Sequence, residues 1–144
     1  MMRNGSPLLI VEDNETDVLC LKKAFEKSGI GKPIITASNG EEALAYLKGD
    51  LPDQDLRVPN LILLDLNMPI MNGFEFLEVV KSDARLKAIP VVVLTSSTSS
   101  MDMNDSYNNS VAGYIEKPMD PADYLNIVSV LDQYWSLSYL PNIN

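Results

Sequence analysis

The chain has 144 residues, 46% of them hydrophobic and 22% charged, and its 20 acidic and 11 basic side chains give a net charge of −9. This length predicts one domain, and the acidic balance opposes nonspecific nucleic-acid binding, because such binding depends on clustered lysine and arginine and no basic run is present. With no apolar run near the ~20 residues that cross a bilayer and no signal peptide at the start, we expect a cytoplasmic protein without membrane contact.

Apolar runs alternate with helical patterns through the first half of the chain. The predicted strands cover residues 7–11 and 33–37, and the predicted helices cover residues 16–28 and 41–48. In the first helix, Val18, Leu21 and Phe25 fall at the spacing of one buried face. A polar loop over residues 49–59 leads to the next strand. The alternation of the two patterns is typical of an α/β domain.

That next strand is an unbroken aliphatic run, residues 61–64, which leads directly into Asp65. Such a run predicts a strand covered on both faces, as in a parallel sheet. Parallel sheets bind ligands beyond the carboxyl ends of their strands, where the chain order switches sides. Asp65 therefore lies where a functional site is expected.

The second half continues the same alternation. We predict a helix with Phe74, Leu77 and Val80 on its inner face, strands over residues 90–95 and 111–115, and a short, easily frayed helix within residues 99–110. The last helix has a clear start, with Asp120 as N-cap and Pro121 at the first helical position. Its predicted inner face consists of Tyr124, Ile127, Val128, Leu131 and Trp135.

Five strands that alternate with five helices predict an α/β fold, a doubly wound five-stranded parallel sheet of the flavodoxin-like kind. The predicted domain covers residues 7–135, between a flexible N-terminus (residues 1–6) and a C-terminal tail (residues 136–144). Since only nine residues follow Trp135, we expect no output domain. The tail carries large apolar side chains that either fold back on the domain or meet a partner.

Parallel pairing brings the polar residues that follow the strands to one edge of the sheet. These residues are Glu12, Asp13, Asp65, Thr95 and Lys117. The sequence has no histidine, so chemistry here must use carboxylates, hydroxyls, lysine or a metal. Clustered carboxylates are costly unless a cation joins them, and oxygen ligands with room for water suit Mg²⁺. One carboxylate can then act as a nucleophile toward phosphorus.

Each of these residues also has an ordinary structural interpretation. Asp13 or Asn14 could simply cap the first helix, and a lone Asp65 could be a turn residue. Lys117 could be a solvated surface charge, and Tyr114 could be half-buried packing. Only the order of the residues on successive strands favours a shared site.

Taken together, these motifs resemble the receiver domain of two-component response regulators, the CheY-like group. They are Glu12-Asp13, the pattern D-x-N-M-P-x-M-x-G from Asp65, Thr95-Ser96 and Lys117-Pro118. The resemblance implies a phosphorelay protein that accepts a phosphoryl group on Asp65 from a sensor histidine kinase. It further implies a phosphoacceptor that assists its own phosphorylation and dephosphorylation rather than an enzyme.

The same resemblance implies a role for each matching residue. The Mg²⁺ ligands would be Glu12, Asp13, Asp65 and the backbone carbonyl of Asn67. Lys117 would pair with a phosphoryl oxygen, and its bond to Pro118 would be cis. Thr95 and Tyr114 would be the switch residues that couple the site to the face made by the fourth helix, fifth strand and fifth helix.

A narrower resemblance is to the small response regulators that partner bacterial phytochromes. It rests on the E-D-N-E-T-D run at residues 12–17, the long loop before the third strand, and the final helix with its short apolar tail. It implies a phytochrome-type kinase as partner. It also implies a homodimer formed through the face of the fourth helix, fifth strand and fifth helix, together with the tail.

Two other classes of function remain open. Phosphatases of the haloacid dehalogenase type also use an Asp nucleophile, Mg²⁺, a hydroxyl and a lysine. They carry a second acid two residues after the nucleophile, on their first strand, whereas this chain has Asn67 after its third strand. A degenerate receiver that acts as a phosphate-independent binding module is the other class, and the complete residue set disfavours it.

Overall fold

The structure, a computed structural model, describes residues 6–54 and 57–137, with side chains as far as residue 134. Within these residues five strands alternate with five α-helices. The strands are β1 (Leu8–Val11), β2 (Ile34–Ala37), β3 (Leu61–Leu64), β4 (Val91–Thr95) and β5 (Gly113–Glu116). The helices are α1 (Glu15–Lys27), α2 (Gly40–Lys48), α3 (Gly73–Ser82), α4 (Ser100–Asn108) and α5 (Tyr124–Leu137).

The described strands form one parallel sheet in the order β2-β1-β3-β4-β5. This confirms the predicted doubly wound α/β class. The chain leaves β1 toward β2 on one side and returns to β3 on the other, so the switch point lies between β1 and β3. Their register pairs Val11 with Leu64. The next residues, Glu12 and Asp65, therefore leave the sheet side by side.

Hydrophobic cores lie on both faces of the sheet, because neighbouring strand residues point to opposite sides. On one face Leu9 and Leu64 pack with residues of α2 and α3. On the other, Ile10 and Leu63 pack with residues of α1 and α5. Burial of every β1 and β3 residue explains why both strands read as continuous apolar runs.

The inner faces predicted for two helices are confirmed at Leu77 and Val80 of α3 and at Leu21 and Phe25 of α1, and each face contains a further buried residue. In α3, Phe76 is fully buried, whereas the predicted Phe74 is only half-buried at the edge of the core. The buried set of α3 begins at Gly73 and continues through Phe76, Leu77 and Val80. This spacing places three bulky side chains on one stripe of the helix. In α1, Ala24 is buried with Leu21 and Phe25.

The fifth strand begins at Gly113, two residues later than predicted. Ser110 has a positive φ of 65° after α4, and the chain needs Val111 and Ala112 to return to the sheet. Ala112 makes the first contact there, since its N–H donates to the Val91 carbonyl at 2.7 Å. The prediction placed the strand too early because apolar Val111 is buried outside it.

The predicted start of the last helix is confirmed, and the helix ends later than predicted. Asp120 accepts a hydrogen bond from the Ala122 N–H, and a 3-10 turn over Pro121–Asp123 leads into α5. Tyr124, Val128 and Leu131 are buried as predicted. The helix continues to Leu137, because the sequence has no glycine or proline between residues 122 and 140 to stop it.

The predicted short helix within residues 99–110 is α4, which Ser99 caps. Ser106 is its one buried residue in the described structure, so α4 has little apolar packing. The Trp135 side chain, the N-terminal residues 1–5 and the tail residues 138–144 lie outside the described parts of the chain. Among the helices of the described segments, none combines the length and apolar character that crossing a bilayer requires.

Candidate phosphoacceptor site

Three predicted carboxylates meet at the carboxyl edge of the sheet. One oxygen from each of Glu12, Asp13 and Asp65 lies within 4.8 Å of the others. Glu12 and Asp65 are 6% and 5% exposed, and Asp13 is exposed. Because Asn14 caps α1 with its own side chain, Asp13 is free to join this acidic cluster.

Lys117 follows β5 and reaches across the sheet edge into the acidic cluster. Its Nζ lies 2.7 Å from Glu12 Oε1, 2.8 Å from Asp17 Oδ2 and 3.5 Å from Asp65 Oδ2. Its backbone N–H donates to the Thr95 carbonyl at 2.7 Å. The ammonium is therefore shared among three carboxylates, with Asp65 the most distant of them.

The electrostatics of the site are dominated by burial and by the excess of negative charge. The pKa of Glu12 is raised to about 7, chiefly by burial and also by the nearby Asp65 charge, and the hydrogen bond from Lys117 opposes the shift. For Lys117, burial alone would lower the pKa, but hydrogen bonds to Asp17 and Glu12 outweigh it and leave the pKa raised. Lys117 is therefore charged, and one ammonium is too little to neutralise the cluster.

The donor set fits a divalent metal ion. Asp65 Oδ1 is buried and has no hydrogen-bond partner among the described residues. A buried carboxylate oxygen without a partner is costly, and a hard cation joined to several oxygens removes that cost. An open groove of about 420 Å³, lined in part by Glu12 and Asp13, lies beside the acidic cluster. Asn67 is exposed just beyond Asp65, and the role of its carbonyl stays a prediction.

Thr95 and Tyr114, the predicted switch residues, meet at the loop after β4. Thr95 is fully buried, and its hydroxyl accepts from the Ser97 N–H at 3.4 Å. The Tyr114 hydroxyl donates to the Ser97 carbonyl at 3.0 Å. The Ser97 hydroxyl in turn donates to Asp102 of α4 at 2.7 Å. Ser97 therefore connects the end of β4 to both β5 and α4.

Asp17 and the linking role of Tyr124 were not predicted from the sequence. Asp17 binds Lys117, and it also accepts a 3.2 Å hydrogen bond from the Tyr124 hydroxyl. Tyr124 was predicted only as a core residue. A signal for Asp17 existed, since it ends the acidic run that begins at Glu12. Its position in the first turn of α1 pointed to the carboxyl edge of the sheet.

One prediction about this site is wrong. The resemblance implied a cis bond between Lys117 and Pro118, but the described residues contain no cis peptide bond. Trans is the intrinsically preferred isomer of such bonds, by about 0.5–1 kcal/mol. With this trans bond Lys117 already reaches its carboxylate partners and the Thr95 carbonyl, so its placement does not require the cis form.

A doubly wound parallel sheet with clustered acids, a lysine and a hydroxyl at its carboxyl edge defines a class of signalling domain. Members of this class take up a phosphoryl group on a carboxylate, and electrostatic positioning is most of phosphoryl-transfer chemistry. Comparisons with known proteins agree with this class.

The response regulator receiver domain family matches residues 8–129. The probable methanogenesis regulatory protein FilR2 of Methanothrix harundinacea is 40% identical over 129 residues, which are 89% of this chain and 82% of that protein. The phosphorylated cyanobacterial phytochrome response regulator RcpA superposes with a TM-score of 0.88 at 36% identity, over 96% of this chain and 99% of the other. The Mn²⁺-bound form of response regulator Rcp1 gives 0.86 at 34% identity, over 95% and 99%; Rcp1 is a Synechocystis protein.

The chain belongs to the response regulator receiver domain family, and its place is in two-component phosphorelay signalling. The family match lies within the predicted domain, residues 7–135. It favours the receiver over the haloacid dehalogenase-type phosphatase, which lacks support in the fold, the site and the relatives alike.

Proposed function

We propose that Asp65 accepts a phosphoryl group from the phosphohistidine of a sensor histidine kinase. The observation that carries this is the state of its two carboxylate oxygens. Oδ1 is buried without a partner among the described residues, and Oδ2 lies 3.5 Å from the Lys117 ammonium. A carboxylate with unused lone pairs on Oδ1 and a cation beside Oδ2 is suited to take part in phosphoryl transfer.

The chemistry assigns a separate task to each residue. Mg²⁺ would be held by Glu12, Asp13, Asp65 and the Asn67 carbonyl, and it would supply positive charge for the phosphoryl oxygens. Asp65 forms an oxygen–phosphorus bond as the phosphorus–nitrogen bond of the donor breaks, and the imidazole keeps the electron pair. Lys117 pairs with a phosphoryl oxygen, and the Thr95 hydroxyl turns toward the same group.

The negative charge of the added phosphoryl group triggers the conformational switch. A phosphoryl group carries about −1.5 to −2 charges and strong acceptor oxygens, so it draws Thr95 away from Ser97. Tyr114 contacts the same Ser97, which couples the site to β5 and α4. The chain is thus a phosphoacceptor that assists its own phosphorylation and dephosphorylation. Asn67 stands where a turnover phosphatase of the haloacid dehalogenase type would need an acid.

A phytochrome-type kinase is the partner that the relatives support. RcpA is a cyanobacterial phytochrome response regulator, and RtBRR and AtBRR are bacteriophytochrome response regulators. We extend that partnership to this chain. In a phosphotransfer assay, a phosphorylated phytochrome kinase should lose its label to this protein faster than an unrelated histidine kinase does. Equal rates would contradict a phytochrome-type partner but leave the phosphoacceptor role intact.

The output we propose is a homodimer through α4, β5 and α5. β5 is an edge strand of the described sheet, and several large apolar side chains are exposed on the flanking helices. These are Met101, Met103, Tyr107, Leu125, Val130 and Tyr134. Light scattering of V130E should then show a monomer where the wild type is a dimer. V79E, a matched change at an exposed valine of α3, should leave the dimer intact.

Acetyl phosphate and Mg²⁺ test the phosphoacceptor directly. Intact mass should show one added phosphoryl group on the wild type and none on D65N, with both proteins folded by circular dichroism. D105N, which changes an exposed aspartate of α4, is the control and should be labelled normally. Label on D65N would contradict the assignment of Asp65. An unlabelled wild type would favour the phosphate-independent binding module instead.

A further inference from the structure

Asp17 is a carboxylate of the first turn of α1 that the helix does not need for capping. Asn14 accepts from the Asp17 N–H at 3.0 Å, as an N-cap does. In a full capping box the residue at position N3 returns a hydrogen bond to the N-cap N–H. In α3, Glu75 does this for Asn72 at 3.0 Å.

In α1 that return bond is made by another residue. The Asn14 N–H donates to Glu12 Oε2 at 3.1 Å, so the acidic cluster itself takes the place that Asp17 would otherwise fill. The Asp17 carboxylate is thereby released from local capping. It points instead to two residues about a hundred positions further along the chain.

Those two residues are Lys117 and Tyr124. Asp17 Oδ2 lies 2.8 Å from Lys117 Nζ, and Oδ1 accepts from the Tyr124 hydroxyl at 3.2 Å. Tyr124 is 3% exposed and is the first residue of α5. Burial and the Asp17 charge raise its pKa, so the phenol keeps the proton that it donates. Asp17 therefore bridges the lysine of the site and the start of α5.

The position of Lys117 reflects a competition between carboxylates. Its ammonium is 2.7 Å from Glu12 and 2.8 Å from Asp17 but 3.5 Å from Asp65, and of the two near partners only Asp17 lies outside the acidic cluster. We propose that Asp17 is a positioning residue that holds Lys117 back from Asp65 and links it to α5 through Tyr124. The inference rests on the proposed phosphoacceptor role of Asp65. A phosphoryl group there draws Lys117 from Asp17, and the released carboxylate loosens the hold on Tyr124.

Titration with the phosphoryl analogue beryllium trifluoride, in the presence of Mg²⁺, tests this by nuclear magnetic resonance. D17N removes the competing charge and keeps the side-chain shape, so the analogue should bind about threefold to fivefold more tightly than to wild type, as expected for one partly exposed ion pair. In a K117M background, D17N should change the affinity little, because the lysine that Asp17 restrains is gone. E15Q removes a neighbouring exposed charge of α1 and reports the general electrostatic effect.

A second readout follows the link to α5. In wild type, the analogue should shift the amide signals around Tyr124. In D17N and Y124F those shifts should fall to about half or less, while the shift at Thr95 persists. An unchanged affinity in D17N, or an equal gain in E15Q or the K117M background, would overturn the role of Asp17. Failure of the wild type to bind the analogue would instead overturn the proposed function, and the inference with it.

Discussion

The hydroxyl of Tyr114 donates a hydrogen bond to the backbone carbonyl of Ser97 at 3.0 Å. Ser97 is also bonded to Asp102 through its side chain, at 2.7 Å. The edge strand, the loop after β4 and the start of α4 are therefore joined through one small residue. Since Thr95 bonds the Ser97 N–H, a rearrangement at the site has a short route to α4.

Y114F should leave phosphate uptake intact and weaken the response of α4 to phosphorylation. Loss of one partly buried hydrogen bond should lower the free energy of unfolding by about 1 kcal/mol. The rate of labelling by acetyl phosphate should be unchanged, because the Tyr114 hydroxyl is bonded to the Ser97 carbonyl and not to Asp65. Phosphorylation-induced shifts of α4 amide signals should shrink. Y107F, on an exposed tyrosine of α4, should match wild type, and undiminished α4 shifts in Y114F would count against the coupling.

Divalent metal should stabilise the folded protein through the acidic cluster. At a Mg²⁺ concentration ten times the dissociation constant, the free energy of unfolding should rise by about 1.4 kcal/mol. D13N removes one of the three clustered carboxylates and should reduce this gain strongly. E15Q lies outside the cluster and should retain it. Chemical denaturation with and without Mg²⁺ measures the effect, and an equal gain in D13N would rule out Asp13 as a ligand.

Gly73 begins α3 directly beneath the site, and a side chain there has no room. A Cβ at this position would lie 2.5 Å from the Asp65 carbonyl oxygen and 2.7 Å from Leu66 Cα. Both are backbone atoms, so the loop that carries Asp65 must shift. G73A should therefore cost about 2 kcal/mol of stability and weaken Mg²⁺ binding.

G31A is the matched control for G73A. A Cβ at Gly31 meets nothing within 4 Å, so this change should alter the free energy of unfolding by less than about 0.5 kcal/mol. Denaturant melts of the two variants measure the difference. Equal stabilities would show that the loop after β3 yields easily and does not hold Asp65 in place.

Lys32 should make the free energy of unfolding depend on pH above neutrality. Burial lowers its pKa from 10.5 to about 8, so between these values the unfolded chain binds more protons than the folded one. Stability from this group therefore rises as the pH goes from about 8 to 10.5. The free energy of unfolding of wild type relative to K32M should increase over that interval. K22M, on an exposed lysine of α1, gives the background, and a relative stability that falls with pH would contradict the shift.

The sequence predicted the fold and most of the site, and the reasons are local. Continuous apolar runs such as residues 61–64 identify strands buried on both faces, and helical spacing identifies the elements between them. Parallel strands share one carboxyl edge, so Glu12, Asp65 and Lys117 could be predicted to share a site from the sequence alone. The class of fold and the acidic cluster follow from this reasoning, whereas the family was indicated by the resemblance of the motifs.

Tertiary structure decided the details that depend on how helices sit against the sheet. The inner face of α3 contains the predicted Leu77 and Val80, but packing buries Phe76 and leaves Phe74 at the edge of the core. The same holds for the late start of β5 at Gly113, where a turn at Ser110 and not apolarity sets the boundary.

The contact of Asp17 with Lys117 and Tyr124 shows most clearly what the sequence alone cannot predict. Lys117 and Tyr124 lie 100 and 107 positions after Asp17 in the chain, and no local pattern relates them to it. By itself the sequence determined which chemical groups reach the carboxyl edge. The periodicity of apolar residues and the polar residues that follow each strand can both be read locally along the chain. Only the packing of α1 beside α5 decided which carboxylates share the lysine, because that depends on distances between elements that meet only in the folded chain.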